Sequence, residues 1–361
     1  MAEPFETTVI GSMPKPPWLY RHASLNAKGS DHHGNGADWL LSGPKLLEAQ
    51  NDAVRLAIYD QETAGVRIIS DGEQRRKSYL THITSQLGGF DYDTLAEKWI
   101  RDGRRLAQVG RCTGPVEWLG PIVGDDLHFL LTNTTSPVKI TLPGPMTIVD
   151  STFDAYYEDE KSFAMAVARA ISKEAKALDA MGPAVIQFDE PVFSRYPDKV
   201  SSWGIEALDL CADGLRAQSA VHVCYSYTMP GVERPIKASY PKLLVDLERS
   251  KIDQLALEFE APRLDPALLE LCPSKTVLFG CVNNSNSEIE NADQIALRLL
   301  TAAEHHDPDK IQAAPDCGLT LLSQATARAK LSTLFRGSQI ARDQLIGHKG
   351  AHRHGHHHDW P

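Results

Sequence analysis

Residues 184–191 read AVIQFDEP: four apolar residues around one glutamine, closing on two carboxylates and a proline. A short continuous apolar run suits a strand buried on both faces, as in a parallel sheet. Pro191 cannot donate to a ladder, so the strand stops there and leaves Asp189 and Glu190 at its C-terminal end. Seven other runs have the same character: residues 7–12 (TTVIGS), 66–70 (VRIIS), 138–142 (VKITL), 220–225 (AVHVCY), 254–259 (QLALEF), 276–281 (TVLFGC) and 311–315 (IQAAP). Between them, residues 45–63, 160–181, 289–305 and 325–345 carry apolar side chains at three- and four-residue spacing, the mark of amphipathic helices. Gly65 and Gly182 follow two of these as C-terminal stops. Eight strands alternating with helices predict a (β/α)8 TIM barrel. An open doubly wound sheet is the alternative, but no GxGxxG follows the first strand, so its dinucleotide-binding version has no support.

Residues 81–137 break the alternation, an inserted segment after strand two. An extra helix near residues 95–106 and a hairpin near 115–131 are expected there, forming a wall of the active site. Residues 1–346 read as a single catalytic barrel. Residues 347–361, HKGAHRHGHHHDWP after the glycine, show no apolar period and are expected to be disordered.

The composition is that of a globular protein: 361 residues, 42% apolar and 23% charged, with a formal net charge of −10. That charge argues against a nucleic-acid partner, which would want a basic face. No stretch approaches the roughly 20 apolar residues that span a bilayer, and no signal peptide opens the chain, so the cytoplasm is the expected location. The six cysteines are scattered rather than framework-like, which suits reduced thiols or metal ligands.

In a (β/α)8 barrel the chemistry sits at the C-terminal strand ends. Here those ends read Gly11-Ser12, Asp71-Gly72-Glu73, Asp189-Glu190, His222-x-Cys224, Glu258-x-Glu260, Asn283-Asn284 and Asp316-Cys317-Gly318. His222 and Cys224 lie two apart on a strand and share a face. Alone, each residue reads as an ordinary core side chain. Together with Cys317 and a carboxylate from the strand between, they complete a tetrahedral zinc shell. Glu258, directly after the apolar run, and Glu260, on the same face, both offer that carboxylate. Zinc held by two thiolates is a poor activator of water but a good carrier of a third thiolate, whose pKa it lowers. The chemistry that follows is alkyl transfer to sulfur. A purely structural zinc would use close CxxC knuckles, and none occurs. Glu73 and Asp189 suit the ammonium of an amino-acid thiol, and Ser12 with the amide beside Gly11 suits its carboxylate.

These motifs resemble the cobalamin-independent methionine synthase family, in its short, one-barrel form. The likeness rests on Val9-Ile10-Gly11-Ser12, Asp71-Gly72-Glu73, Gly144-Pro145-Met146-Thr147, residues 186–191, His222-Val223-Cys224-Tyr225, Leu257-Glu258 and residues 315–319, in the family's order across nearly the whole chain. The resemblance implies zinc on His222, Cys224, Glu258 and Cys317, and homocysteine at Ile10, Gly11, Ser12, Glu73 and Asp189. The methyl-donor side departs from the family. Its pterin-stacking tryptophan corresponds to Ser151, and a folate-contacting glutamate to Arg195, while Arg111-Cys112 matches its Arg-Cys loop. Its proton-donating histidine is replaced by Ser285 or Asn283. The expected activity is transfer of a methyl group to homocysteine, with methyltetrahydrofolate, a methylated corrinoid protein or another methyl carrier as donor. A coenzyme M-type alkyltransferase and a non-catalytic zinc barrel that binds a thiol are the alternatives.

Overall fold

The structure, a computed structural model, describes residues 3–22, 37–225 and 238–353. Its strands are β1 (Glu6–Thr7), β2 (Tyr20–Arg21), β3 (Asp38–Trp39), β4 (Leu87–Ile100), β5 (Arg105–Trp118), β6 (Lys139–Pro143), β7 (Thr152–Asp154), β8 (Val185–Asp189), β9 (Gln218–Val223), β10 (Gln254–Glu258), β11 (Thr276–Val282) and β12 (Ile311–Pro315). The helices are α1 (Gly43–Thr63), α2 (Thr81–Thr84), α3 (Gly124–Thr132), α4 (Pro145–Asp150), α5 (Glu160–Asp179), α6 (Pro197–Lys199), α7 (Ile205–Ala212), α8 (Tyr240–Glu248), α9 (Ala292–Ala303) and α10 (Gln324–Arg353). A π-helical turn joins α6 to α7, and short 3-10 turns precede β11 and β12.

The centre is a seven-stranded parallel sheet in the order β1-β12-β11-β10-β9-β8-β6. Pairing of the first strand with the last curls the sheet into an α/β half-barrel. The alternating side chains of the core strands are buried on both faces, as the continuous apolar runs predict. Residues 66–70 lie between the two sheet ends, but only through single parallel bridges, Thr8 to Ile68 and Ile69 to Val138. The regular strand expected there does not form, because the side chain of Gln61 on α1 takes both backbone groups of Ser70, at 3.0 and 2.9 Å. The first strand is likewise shorter than residues 7–12. Beyond Thr8, side chains take the carbonyls in place of a ladder: Lys139 at Val9, Gln187 at Ile10 and Ser70 at Gly11.

The helices follow their sequence signals. Asp159 caps α5 by accepting from the Ser162 amide at 2.9 Å, and Asn291 caps α9. Gly65 and Gly182 adopt φ of +94° and +84°, the left-handed conformation that ends a helix without a Cβ penalty. The final helix continues through Gly347 to Arg353, past the expected limit at residue 346. One glycine costs a helix about 1 kcal/mol and does not by itself stop it. Residues 354–361 of the histidine-rich stretch lie outside the described residues. Among the described residues no helix is long and apolar enough to cross a membrane.

The inserted segment differs from expectation in order. The hairpin comes first, as β4 and β5, and the helix second, as α3. Leu95, Trp99 and Leu106 mimic a helical stripe in sequence, yet all three are exposed. What organises this region is cross-strand pairing, with Trp99 opposite Leu106 and Ile100 opposite Arg105 around a turn at Gly103. The far end of the hairpin is held by Glu174 on α5. Its buried carboxylate accepts from Trp118 Nε1 at 3.2 Å, Ile122 N at 2.8 Å and Val123 N at 3.1 Å. Glu174→Ala strands these donors and is expected to cost about 3 kcal/mol, measured by chemical denaturation; a loss below a few tenths would show that water replaces the carboxylate.

Candidate metal and thiol site

β9 ends in His222-Val223, with Cys224 directly after it, and Cys317 follows β12. The ligand atoms of His222, Cys224 and Cys317 all lie within 4.8 Å of one another, and all three residues are buried. The two sulfurs are 4.0 Å apart. Glu258, the last residue of β10, is also buried, and its Oε2 accepts the Tyr225 amide at 2.9 Å, next to Cys224. Tyr240 ties these strand ends together: its hydroxyl donates to Val223 O at 2.6 Å and accepts the Glu258 amide at 3.0 Å. Glu260 turns elsewhere, into a 2.6 Å ion pair with Arg298 on α9.

The histidine ring has two different sides. Its Nδ1 is 3.6 Å from Asp189 Oδ1, while Nε2 is buried without a hydrogen-bond partner. An orphan ring nitrogen beside two thiols is the donor arrangement a soft divalent cation fits, and a carboxylate behind the other nitrogen is the usual way such a ligand is oriented. Burial disfavours the charged imidazole, but the Cys224 thiolate and Asp189 outweigh it and raise its pKa to about 10. A bound cation would stand in for that proton. The Cys317 thiol is pushed well up by its hydrogen bond to Cys224, by burial and by the negative charges of Cys224 and Glu258, a mutual repulsion that a cation relieves.

Glu73 and Gly11 form the neighbouring wall. A Cβ on Gly11 would stand 2.9 Å from Glu73 Oε1 and 3.2 Å from Thr141 Cγ2, so only glycine admits the carboxylate this close to the first strand. Thr141 donates to Glu73 Oε1 at 2.6 Å and Asp71 accepts the Glu73 amide at 2.8 Å. Burial raises the Glu73 pKa, Arg76 opposes the rise and Asp189 adds to it. Gln187 joins this wall to the metal residues, donating to Ile10 O at 2.8 Å and to Asp189 Oδ1 at 2.9 Å. Ile10 packs its side chain among Ala256, Leu278 and Ala314, so it offers a ligand only main-chain atoms. Ser12 is buried, and its carbonyl accepts the Leu319 amide at 2.9 Å, beside Cys317.

Lys139 sits beneath this wall, fully buried, its ammonium donating to Val9 O at 2.9 Å. Burial lowers its pKa from 10.5 to about 7, although Asp189 pulls it up. Between those values the unfolded chain binds a proton that the folded chain does not. Stability therefore falls as pH drops from about 10 to about 7, and the penalty is complete below that range. Lys139→Met is expected to flatten this slope; denaturation at several pH values in that window checks it, and an unchanged slope would assign it to other groups.

The residues expected around the methyl donor are partly assembled. Ser151 caps α4, and β7 behind it pairs with β5, Arg111 opposite Phe153 and Cys112 opposite Asp154. Arg111 is 3.7 Å from Asp91 across the hairpin. Cys112 is buried with its pKa pushed to about 11, which makes it a packing thiol rather than a nucleophile. Ser285 folds back on its own loop, donating to Asn283 Oδ1 at 2.5 Å. It is Asn284 that reaches toward Cys317, through Gly318 O at 3.2 Å.

Sequence reading missed several supports. Asp316 accepts three successive amides, from Phe259, Glu260 and Ala261 at 2.7 to 3.1 Å, fixing the loop after Glu258. Glu190 accepts the amides of Met146 and Thr147 at the start of α4, and Gly144 is required beside it because a Cβ would come within 2.2 Å of Glu190 Cδ. The adjacency of Asp316 to Cys317, and of Glu190 to Asp189, is the signal that could have found both.

Residues 5–339 match the family model described as the catalytic domain of cobalamin-independent synthase. A methionine synthase of Sulfurisphaera tokodaii is 30% identical over 94% of this chain and 93% of its own length. That of Pyrococcus abyssi is 31% identical over the same shares. Among solved structures, a B12-independent methionine synthase from Shewanella sp. W3-18-1, in complex with selenomethionine, superposes with a TM-score of 0.87 at 35% identity, covering 95% of this chain and 99% of that one.

Proposed function

The chain belongs to the cobalamin-independent synthase family, and on that premise we propose that it is a zinc-dependent methyltransferase that forms methionine from homocysteine. The observation that carries the reading is the buried group of His222, Cys224 and Cys317, whose ligand atoms all lie within 4.8 Å of one another. His222, Cys224, Cys317 and Glu258 would hold the metal. When bound, zinc supplies the Lewis acidity that keeps a substrate thiol deprotonated near neutral pH.

This chain's own residues orient the amino acid. Glu73 and Asp189 take the homocysteine ammonium, Ser12 and the amides around Gly11 take its carboxylate, and Ile10 contributes main-chain contact. Asp189 serves two partners, since the carboxylate that faces His222 Nδ1 also faces the wall built by Glu73. The thiol loses its proton, the sulfur–carbon bond forms, and the bond from the methyl group to its carrier breaks. The relative solved with selenomethionine, a product analogue, supports an amino-acid pocket of this kind. A sulfonate thiol would need cations where Glu73 and Asp189 stand, which disfavours a coenzyme M-type enzyme.

Residues 66–70 are read as taking the place of an eighth strand and closing the barrel within residues 1–346, supported by their single bridges to both sheet ends. The 81–137 segment is read as the wall on the donor side, with Arg111 and Ser151 facing the carrier, Cys112 packed behind them and Ser285 on the opposite loop. The donor is methyltetrahydrofolate or another methyl carrier, a methylated corrinoid protein included. Six buried cysteines outside any disulfide suit the reducing cytoplasm. The direct test is zinc K-edge absorption with and without homocysteine, on protein truncated after Leu345 to remove the histidine-rich stretch. A sulfur count rising from two to three on adding homocysteine is expected. A count that ignores every thiol offered would overturn the reading.

A further inference from the structure

The turn between β4 and β5 holds Arg101, Asp102 and Gly103 at φ of 56°, 59° and 72°. Two side-chain-bearing residues in the left-handed region are unfavourable and persist only where their surroundings hold them. Asp150 Oδ2 accepts the Arg101 amide at 3.1 Å. Tyr196 accepts the Asp102 amide at 2.5 Å and donates to Asp150 Oδ1 at 2.7 Å. Lys98 donates to Val149 O and Thr152 O at 3.0 and 2.9 Å. These bonds clamp the hairpin tip across the end of α4, on either side of Ser151.

The clamp turns the Arg101 side chain inward. Its Nη2 donates to Tyr79 Oη at 3.0 Å. Its Nη1 is 3.6 Å from Asp150 Oδ2 but is buried without a hydrogen bond. Tyr79 lies three residues past Arg76, which bonds Thr141 on β6, and Tyr196 follows the end of β8, so the pair of Arg101 and Tyr79 stands over the C-terminal ends of the sheet strands. A buried N–H without an acceptor is costly, and a guanidinium fork matches a carboxylate or phosphate. Tyr79 accepts from Arg101, which leaves its own hydroxyl proton to donate. Two donors therefore converge beside the donor-side residue Ser151.

We propose that Arg101 and Tyr79 form an anion-recognition subsite for the methyl carrier, taking a carboxylate or phosphate group that it bears. This rests on the methyltransferase reading, in which the homocysteine carboxylate already has its place at Ser12. The subsite makes the hairpin tip a determinant of which carrier is used.

Calorimetric titration of the whole protein with glutarate and with inorganic phosphate tests it. At least one anion is expected to bind the unaltered protein, about tenfold more weakly after Arg101→Gln, with partial recovery in Arg101→Lys. The stronger probe tells a carboxylate-bearing carrier from a phosphate-bearing one. If Arg101→Gln fails to fold, Tyr79→Phe carries the test, with an expected loss of about threefold. Homocysteine affinity, titrated in parallel, is expected to stay within about twofold in every variant. Failure of both anions to bind the unaltered protein, or equal binding after Arg101→Gln, would overturn the subsite and leave Arg101 as a counter-ion of Asp150. Loss of homocysteine binding by the unaltered protein, with anion binding intact, would instead overturn the thiol reading.

Discussion

Cys317→Ser is expected to purify with less than about a tenth of the zinc of the unaltered protein and to form no measurable methionine. Serine keeps the shape of the side chain but stays protonated at neutral pH, so the metal loses an anionic soft ligand. Changes to residues that merely orient ligands already cost about 10- to 100-fold in metal affinity, and losing a ligand exceeds that. Among the described residues the group holds His222, Cys224 and Cys317, so the substitution leaves a single thiol there. Apparent stability falls too, because a ligand held at about 1,000 times its Kd contributes about 4 kcal/mol. Metal content by elemental analysis, beside methionine formation, reads the result. A zinc-free variant that retained turnover would remove the thiol-activation mechanism altogether.

Asp189→Asn is expected to raise the KM for homocysteine by roughly 100-fold and to weaken zinc by roughly 10-fold. The substitution keeps size and hydrogen-bonding shape but removes a charge that two groups use. On one side that charge faces His222 Nδ1 at 3.6 Å and would leave the other ring nitrogen for the proposed metal. On the other, in the proposed reading, it joins Glu73 in receiving the homocysteine ammonium. Gln187, now bonded to Asp189 Oδ1 at 2.9 Å, can accept the change by re-pairing with the amide oxygen. Steady-state kinetics and competitive chelation separate the two effects. A variant with altered zinc affinity and an unchanged homocysteine KM would leave Asp189 as a positioning residue for His222 alone.

Much of this arrangement is legible in the chain because strand ends are. Continuous apolar runs mark strands buried on both faces, and polar residues immediately after them must fall at one mouth. His222 and Cys224, two apart, share a face for the same reason. Glu258 and Glu260 share that face as well, and sequence left both open as ligands. Arg298 draws Glu260 away at 2.6 Å, and Arg298 stands on a helix 38 positions later in sequence. The hairpin was misread because Leu95, Trp99 and Leu106 repeat at a helical interval while being exposed. Cross-strand partners, not periodicity, decide such a segment.

What the sequence determined by itself was therefore the alternation of strands and helices, the residues at each strand end, and the soft donor set with its carboxylates. Those depend on local pattern, which burial on one or both faces imposes directly. The tertiary structure alone decided which carbonyls of the first strand go to Lys139, Gln187 and Ser70, and which side of His222 meets Asp189. It also decided that a left-handed turn at Arg101 is held against Asp150. Each joins residues tens to more than a hundred positions apart, and no local pattern encodes a hydrogen bond that only the closed fold brings within reach.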